Sequence, residues 1–253
     1  MSYKVLVSDK LSEDGLEVFR NAGFEVDHTP EITQEEIKKT IGNYDAWVVR
    51  SRSKATADIL AEASKLRVIG RAGVGVDNVD VEAASQRGII VMNTPGGNTI
   101  STAEHAIAMM MSAARKIPAA DASMKAGKWD KKAFMGRELR GKTLGILGLG
   151  RIGQEVCKRM KGFGMHILGF DPFVSDDMMK QLGVEGTQVD DICERADFIT
   201  IHTPLSPETK NLINADRLSK MKASAILVNC ARGWIIDDHA LADALKEKKI
   251  AMA

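Results

Sequence analysis

Two α/β lobes with parallel sheets are expected from three features of the 253-residue sequence. Short β-branched segments alternate with amphipathic helical segments along most of the chain, and a Pro-Gly-Gly break interrupts that alternation at residues 95–97. The stretch LGILGLGRIGQEV then joins an apolar segment to a helix through closely spaced glycines. Alternation of this kind covers a parallel sheet on both faces and places ligands at the carboxyl ends of its strands.

In the first lobe, residues 1–97, the segments KVLVSD, AWVVRS, LRVIGRA and IIVMN read as strands. Helices follow Leu11, Thr33, Ala55 and Val79, and Thr33 and Glu36 have capping-box spacing. The strand ends carry residues unusual for plain connections. Arg50 and Ser51 end one strand, Arg71 ends the next before Gly73-Val74-Gly75, and Asn93 follows a third. The boundary falls at TPGGNT, and residues 98–253 make the second lobe.

That lobe begins with a helical, apolar stretch from Thr99 to Arg115, with Met109, Met110 and Met111 in a row. Methionine fills irregular gaps, so packing between the lobes is the expected role, and His105 is expected to be packed or capping rather than catalytic. From Lys125 to Arg140 the chain is polar with Trp129 and Phe134 embedded in it. This composition suits a surface arm anchored elsewhere through its aromatics, a subunit contact being one anchor. After Lys142, KTLGILG, MHILGFD, FITIHT and AILVNCA read as strands, with helices after Arg151, Ser175, Asp190 and Asp237.

Composition narrows the function classes. Hydrophobic residues make up 44% and charged residues 27%, which supports a buried core and argues against disorder. A net charge of +1 gives no electrostatic reason to expect nucleic acid or an acidic membrane surface as partner. Cys157, Cys193 and Cys230 form no metal-spaced pair, so no metal is expected. Their odd count suits a reduced, cytoplasmic compartment. No apolar run reaches the ~18 residues that a membrane span needs.

The glycines of LGILGLGRIGQEV follow a strand and open a helix, and they precede Asp171 at the tip of the next strand. In that context Gly148 permits a tight turn, Gly150 lets backbone N–H groups approach a pyrophosphate, and Gly153 lets the helix pack on the strand. The pyrophosphate then sits at the helix N-terminus. Asp171 lies near the ~20-residue spacing that sets a carboxylate against a ribose diol, and its charge would repel a 2′-phosphate. A Rossmann-type site for NAD rather than NADP follows.

Taken in order, RAGVGVDNVD, VMNTPGGNT, LGILGLGRIG, GFDP, FITIHTPL and VNCARG resemble the D-isomer-specific 2-hydroxyacid dehydrogenases, and the likeness runs the length of the chain. It implies a flavodoxin-like α/β substrate lobe, a Rossmann NAD lobe, a cleft between them, and a homodimer built around the helix and arm after TPGGNT. The implied cofactor-facing residues are Arg151, Ile152, Gly153, Asp171, Thr203, Cys230, Ala231 and Arg232, with Val74 contributing only its backbone and apolar surface. VVRSRSKAT and ASMKAGKWDKKAFMG are most similar to the members that oxidise 3-phospho-D-glycerate on the way to L-serine.

For that chemistry Arg232 suits the substrate carboxylate, because a guanidinium offers parallel donors and keeps its proton. Gly73 and Gly75 would admit backbone N–H groups to the same carboxylate. Arg50 and Ser51 match substrate-binding positions, and with Arg71 they can take a distal phosphate or a second carboxylate. Glyoxylate, hydroxypyruvate, lactate-like and phosphite substrates therefore stay open, as does a noncatalytic NAD-binding regulator of corepressor type. The family's proton-accepting histidine and its glutamate lie downstream of the segment aligned with IAMA. The 1–253 chain is accordingly expected to be C-terminally incomplete as a Rossmann lobe, catalytically impaired alone, and bare at one sheet edge. None of His28, His105, His166, His202 and His239 stands in the family's catalytic context, His202 lying nearest the cofactor. Trp234 stands where the family usually has a small residue, often glycine.

Overall fold

The computed structural model describes residues 2–253, which divide into two compact units, one ending at Asn98 and the other beginning at Thr99. In the first unit the elements run β1 (Lys4–Val7), α1 (Glu13–Asn21), β2 (Glu25–His28), α2 (Gln34–Thr40), β3 (Ala46–Val49), α3 (Ala57–Glu62), β4 (Val68–Arg71), α4 (Val81–Gln86) and β5 (Ile90–Asn93). All pairings are parallel and the strand order is β2-β1-β3-β4-β5. This is the flavodoxin-like order, whose connections diverge between β1 and β3 and open a crevice at their carboxyl ends.

Strand periodicity decides the core. Leu6, Trp47, Val49 and Ile69 pack on one face with Ile37, Leu60 and Ala84 of the helices α2, α3 and α4. Val5, Val7 and Val48 point to the other face and meet Leu16 of α1. The indole N–H of buried Trp47 donates to Ser8 Oγ at 2.7 Å, so its one polar atom is satisfied. The capping box forms as its spacing predicts: the Thr33 N–H donates to Glu36 Oε2 at 2.9 Å, and the Glu36 N–H donates to Thr33 Oγ1 at 3.2 Å. Strand β2, which the alternation does not reveal, has only the sequence EVDH and lies on the outer edge.

The second unit contains α5 (Thr99–Arg115), α6 (Ile117–Lys125), β6 (Thr143–Leu147), α7 (Arg151–Gly162), β7 (His166–Phe170), α8 (Asp176–Leu182) and β8 (Glu185–Gly186). It continues through α9 (Val189–Arg195), β9 (Phe198–Ile201), α10 (Ala215–Lys220), β10 (Ile226–Asn229) and α11 (Asp238–Lys246). Its sheet is parallel in the order β10-β9-β6-β7-β8, a Rossmann arrangement that switches direction between β6 and β9. Leu144 and Ile146 pack with buried Ala103, Ala106 and Met110 of α5 and with Val156 and Met160 of α7. Leu147, Leu168, Ile199 and Ile201 face Ile192 of α9, Leu218 of α10 and Ala244 of α11.

Three expectations need correction. Met110 is buried within the second unit's own core, while Met109 is 49% exposed, so the methionine row faces two ways as helical geometry requires. His105, on the outer side of the same helix, is exposed rather than packed. The sheet edge at β10 is partly paired: the Ala251 N–H donates to the Ala225 carbonyl at 2.9 Å, and the Leu227 N–H donates to the Met252 carbonyl at 3.0 Å.

The arm after α6 is irregular and returns to the end of α5, where the Arg137 N–H donates to the Ala114 carbonyl at 2.9 Å. Trp129 on this arm is 72% exposed and carries the Lys131 ammonium 5.4 Å from its ring centre. Among the described residues no helix is long and apolar enough to cross a membrane.

Candidate functional site

In the second unit, the residues singled out from sequence gather at the carboxyl ends of β6, β7, β9 and β10. Gly148, just after β6, has φ +94, and a Cβ there would lie 2.8 Å from the His202 carbonyl carbon and 2.9 Å from the Thr203 nitrogen. The turn can therefore lie against the end of β9 only as glycine. Gly150 is the N-cap of α7 and supplies no side-chain cap, and a Cβ built on it meets nothing within 4 Å. Space for an incoming group is thus left over the helix N-terminus, where the N–H groups of Arg151 and Ile152 lack intrahelical acceptors. A Cβ on Gly153 would fall 2.0 Å from the Gly148 carbonyl oxygen, so α7 packs on the turn backbone to backbone.

Asp171 follows β7 and faces the same turn. Its Oδ2 accepts the Leu149 N–H at 2.8 Å and its Oδ1 accepts the Phe173 N–H at 2.9 Å. Thr203, after β9, is buried, and its Oγ1 has no hydrogen-bond partner. An orphaned hydroxyl at this point is a polar group awaiting a ligand. After β10 the chain turns sharply through Cys230, Ala231 and Arg232. Asn229 shapes this turn, accepting the Ala231 N–H at 3.0 Å and donating from Nδ2 to the Arg232 carbonyl at 2.8 Å. The Arg232 guanidinium donates to the Ala231 carbonyl at 2.9 Å. Burial pushes the Cys230 thiol up, so it stays protonated.

His202 lies beneath the glycine turn with Nε2 3.0 Å from Thr200 Oγ1. Burial pulls its imidazole down to about 4 from an ordinary 6.5, which makes it a neutral core histidine at pH 7. Because the folded value lies below the unfolded one, its contribution to stability is complete above pH 6.5 and disappears as pH falls toward 4. The loss amounts to about 3 kcal/mol. Urea denaturation at pH 7.5 and pH 4.5 is expected to show a smaller decline for His202→Asn than for the wild type. Equal declines would mean that the imidazole is charged in the folded state.

In the first unit a second group forms at the ends of β1, β3 and β4. The Arg71 guanidinium lies over Gly73, where a Cβ would be 1.2 Å from an Nη, and its Nη2 is 3.5 Å from Ser51 Oγ. Its Nε is buried without a partner. The Gly73 N–H already donates to the Arg71 carbonyl at 2.8 Å, so in this conformation glycine seats the arginine rather than offering a donor. Val74 and Gly75 lie in the loop after β4, steadied by Asn93 Nδ2 donating to the Val74 carbonyl at 2.7 Å. A cleft of about 440 Å³ beside Arg50 and Ser51 is lined also by Asp9, Lys10, Pro30, Glu31 and Arg52. Among the described residues no group of three His, Cys, Asp or Glu side chains could hold a metal.

These geometries coincide with a known family. Residues 107–253 match the NAD binding domain of the D-isomer specific 2-hydroxyacid dehydrogenases. The chain belongs to that family. It is 51% identical over 251 residues to D-3-phosphoglycerate dehydrogenase of Methanocaldococcus jannaschii, covering 99% of this chain and 48% of the relative. It thus spans about half the length of the curated relatives it matches. Among solved structures it resembles the TT0316 protein from Thermus thermophilus, with TM-score 0.88 and 35% identity over 96% of this chain and 78% of that one. It also resembles a glyoxylate reductase from Paecilomyes thermophila, with TM-score 0.90 and 29% identity over 99% and 80%.

The second unit therefore carries a 2-hydroxyacid dehydrogenase NAD-binding domain, and its cofactor is NAD. The residues present fit it: a glycine cradle that side chains would block, a carboxylate at the next strand end and an unpartnered buried hydroxyl. Sequence reading missed Asp9, Asn78 and Asn229, polar side chains whose hydrogen bonds shape the loops of the two groups. Their one available signal is position, since Asp9 and Asn229 stand at or just past the end of an apolar strand. Trp234 has φ +60 and is 65% exposed. A left-handed backbone costs a bulky residue about 1–2 kcal/mol, a strain that glycine at 234 would not carry. Trp234→Gly is expected to raise the unfolding free energy by about 0.5–1 kcal/mol after the added chain entropy is deducted. A lower urea midpoint would show instead that the indole contributes packing.

Proposed function

We propose that this protein oxidises 3-phospho-D-glycerate to 3-phosphohydroxypyruvate with NAD, in L-serine formation. The observation that carries the substrate class is the grouping of Arg50, Ser51 and Arg71 at the strand ends of the first unit, beside an open cleft. Relatives bearing the D-3-phosphoglycerate dehydrogenase name support it.

Bound NAD supplies the acceptor for the hydride on C2. Gly148, Gly150, Gly153, Arg151 and Ile152 hold its pyrophosphate, Asp171 its ribose diol, and Thr203 and residues 230–232 border its nicotinamide. Val74 contributes a backbone and apolar contact. Arg232 binds the substrate carboxylate and polarises the reacting oxygen, Gly75 admits backbone N–H groups to that carboxylate, and Arg50, Ser51 and Arg71 hold the phosphate. We assign the hydroxyl proton to the family's histidine–glutamate pair rather than to His202, which burial makes a weak base and whose Nε2 is engaged with Thr200. Exposed Met109, Trp129 and Met135 on α5 and the arm support a homodimer, to be read by sedimentation equilibrium, and the free cysteines suit the cytoplasm.

The test is NAD reduction by the full-length protein with 3-phospho-D-glycerate, D-glycerate and D-lactate. Preference for the phosphorylated acid is expected, and preference for an unphosphorylated one would reassign the substrate. NAD binding without turnover of any acid would favour the noncatalytic regulator. In calorimetry NAD should bind more tightly than NADP, and Asp171→Ala should narrow that gap by about tenfold through loss of charge-assisted hydrogen bonds and of repulsion toward a 2′-phosphate. An unchanged ratio would remove Asp171 from the ribose.

A further inference from the structure

The two arginines of the Arg50-Ser51-Arg52 loop are held in different ways. Arg52 is spent on the fold: Nη1 donates to the Ile32 carbonyl at 2.8 Å, Nη2 to the Ser8 carbonyl at 2.5 Å, and Nε lies 3.7 Å from Asp9 Oδ1. Arg50 is exposed and donates from Nη1 to the Lys10 carbonyl at 3.2 Å. Beneath both lies Asp9, 5% exposed, just past the end of β1. Its Oδ2 accepts the N–H groups of Arg50 at 2.7 Å and Ser53 at 3.2 Å, and its Oδ1 accepts the Arg52 N–H at 3.3 Å. Asn78 Nδ2 grips the same loop by its carbonyls, Arg50 at 2.8 Å and Ser53 at 2.6 Å.

We propose that Asp9 is a positioning residue for phosphate recognition, its carboxylate locking the 50–53 backbone so that Arg50, and not Arg52, presents its guanidinium to the anion. This rests on the assignment of Arg50 to the substrate phosphate. Three backbone donors and a guanidinium converge on one buried carboxylate, and a loop conformation that released it would leave that charge buried and unpaired. The same partners neutralise Asp9, so that it can lie beside an anion site without repelling its ligand. The cleft stands where the strand order turns between β1 and β3, the point at which a parallel α/β sheet opens a ligand crevice.

Asp9→Asn tests this, because every contact to the carboxylate is a donor and an amide NH₂ must oppose at least one of them. In the full-length protein, calorimetric titration with inorganic phosphate reads the subsite without turnover. Steady-state kinetics with 3-phospho-D-glycerate and D-glycerate read it in the reaction. Asp9→Asn is expected to weaken phosphate about tenfold, as loss of a charge-assisted anchor implies, and to raise KM for the phosphorylated acid by a similar factor with kcat nearly constant. D-Glycerate kinetics and NAD affinity should stay close to wild type. Arg52→Lys keeps the charge but loses the planar fork, and should weaken phosphate about threefold.

Equal losses on both acids, or phosphate affinity untouched by Asp9→Asn while Arg50→Met abolishes it, would overturn the proposal. If Asp9→Asn does not fold, Arg52→Lys decides: unchanged phosphate affinity counts against the lock. A wild type that binds phosphate but does not turn over the phosphorylated acid would refute the substrate assignment and leave Asp9 to be judged on the phosphate titration alone. A wild type that binds no phosphate refutes the role of Asp9.

Discussion

Gly153→Ala is expected to weaken NAD binding at least 100-fold and to destabilise the second unit by about 3 kcal/mol, the upper range for overpacking. The new methyl would lie 2.0 Å from the Gly148 carbonyl oxygen, and both partners are backbone, so no rotamer change relieves the contact. Helix α7 must retreat from the turn, carrying with it the N–H groups of Arg151 and Ile152 that would meet the pyrophosphate. Gly150→Ala gives the informative contrast. Its Cβ meets nothing within 4 Å and its φ is −66, so stability should change by less than about 0.5 kcal/mol while NAD affinity still drops, because the methyl occupies ligand space. Thermal melts with and without NAD separate the two effects, and a Gly153→Ala protein that binds NAD normally would dismiss the packing argument.

Arg232→Met in the full-length protein should lower kcat/KM for every 2-hydroxy acid by roughly 10²–10³-fold, or about 3–4 kcal/mol. Arg232 stands at the end of a turn whose backbone Asn229 holds through both its amide atoms, and its guanidinium donates to the Ala231 carbonyl. Arg232→Lys should recover only part of the loss, since an ammonium is a point charge without the parallel fork. Loss confined to phosphorylated acids would exchange the roles of Arg232 and Arg50.

Much of this site is legible in the chain because its residues are local in sequence. Gly148, Gly150, Gly153 and Asp171 are recognisable from spacing alone, since one strand, one turn and one helix suffice to place them. The expectations that fell short concern residues whose surroundings come from far along the chain. Met109 and Met110 are adjacent and chemically identical, yet only Met110 reaches the core, because the face of α5 that meets α7 and β10 is chosen by packing. Gly73 reads as a place for a backbone donor, and the fold instead uses its missing side chain to seat Arg71. Strand β2 escapes periodicity because EVDH carries a single apolar residue, and β8 because two residues hold no pattern.

By itself the sequence determined the two α/β lobes, the dinucleotide turn with its acidic partner, and the cationic strand ends, all of which follow from short-range periodicity and from backbone conformations that few residues adopt. Only the tertiary structure decided which of these groups are spent on the fold and which are offered to a ligand. Arg50 and Arg52 are indistinguishable in the string RSR, and Asp9 stands more than forty residues before the loop it holds. A hydrogen bond between such distant residues depends on how β1 and β3 are brought side by side, and that pairing is a property of the assembled sheet.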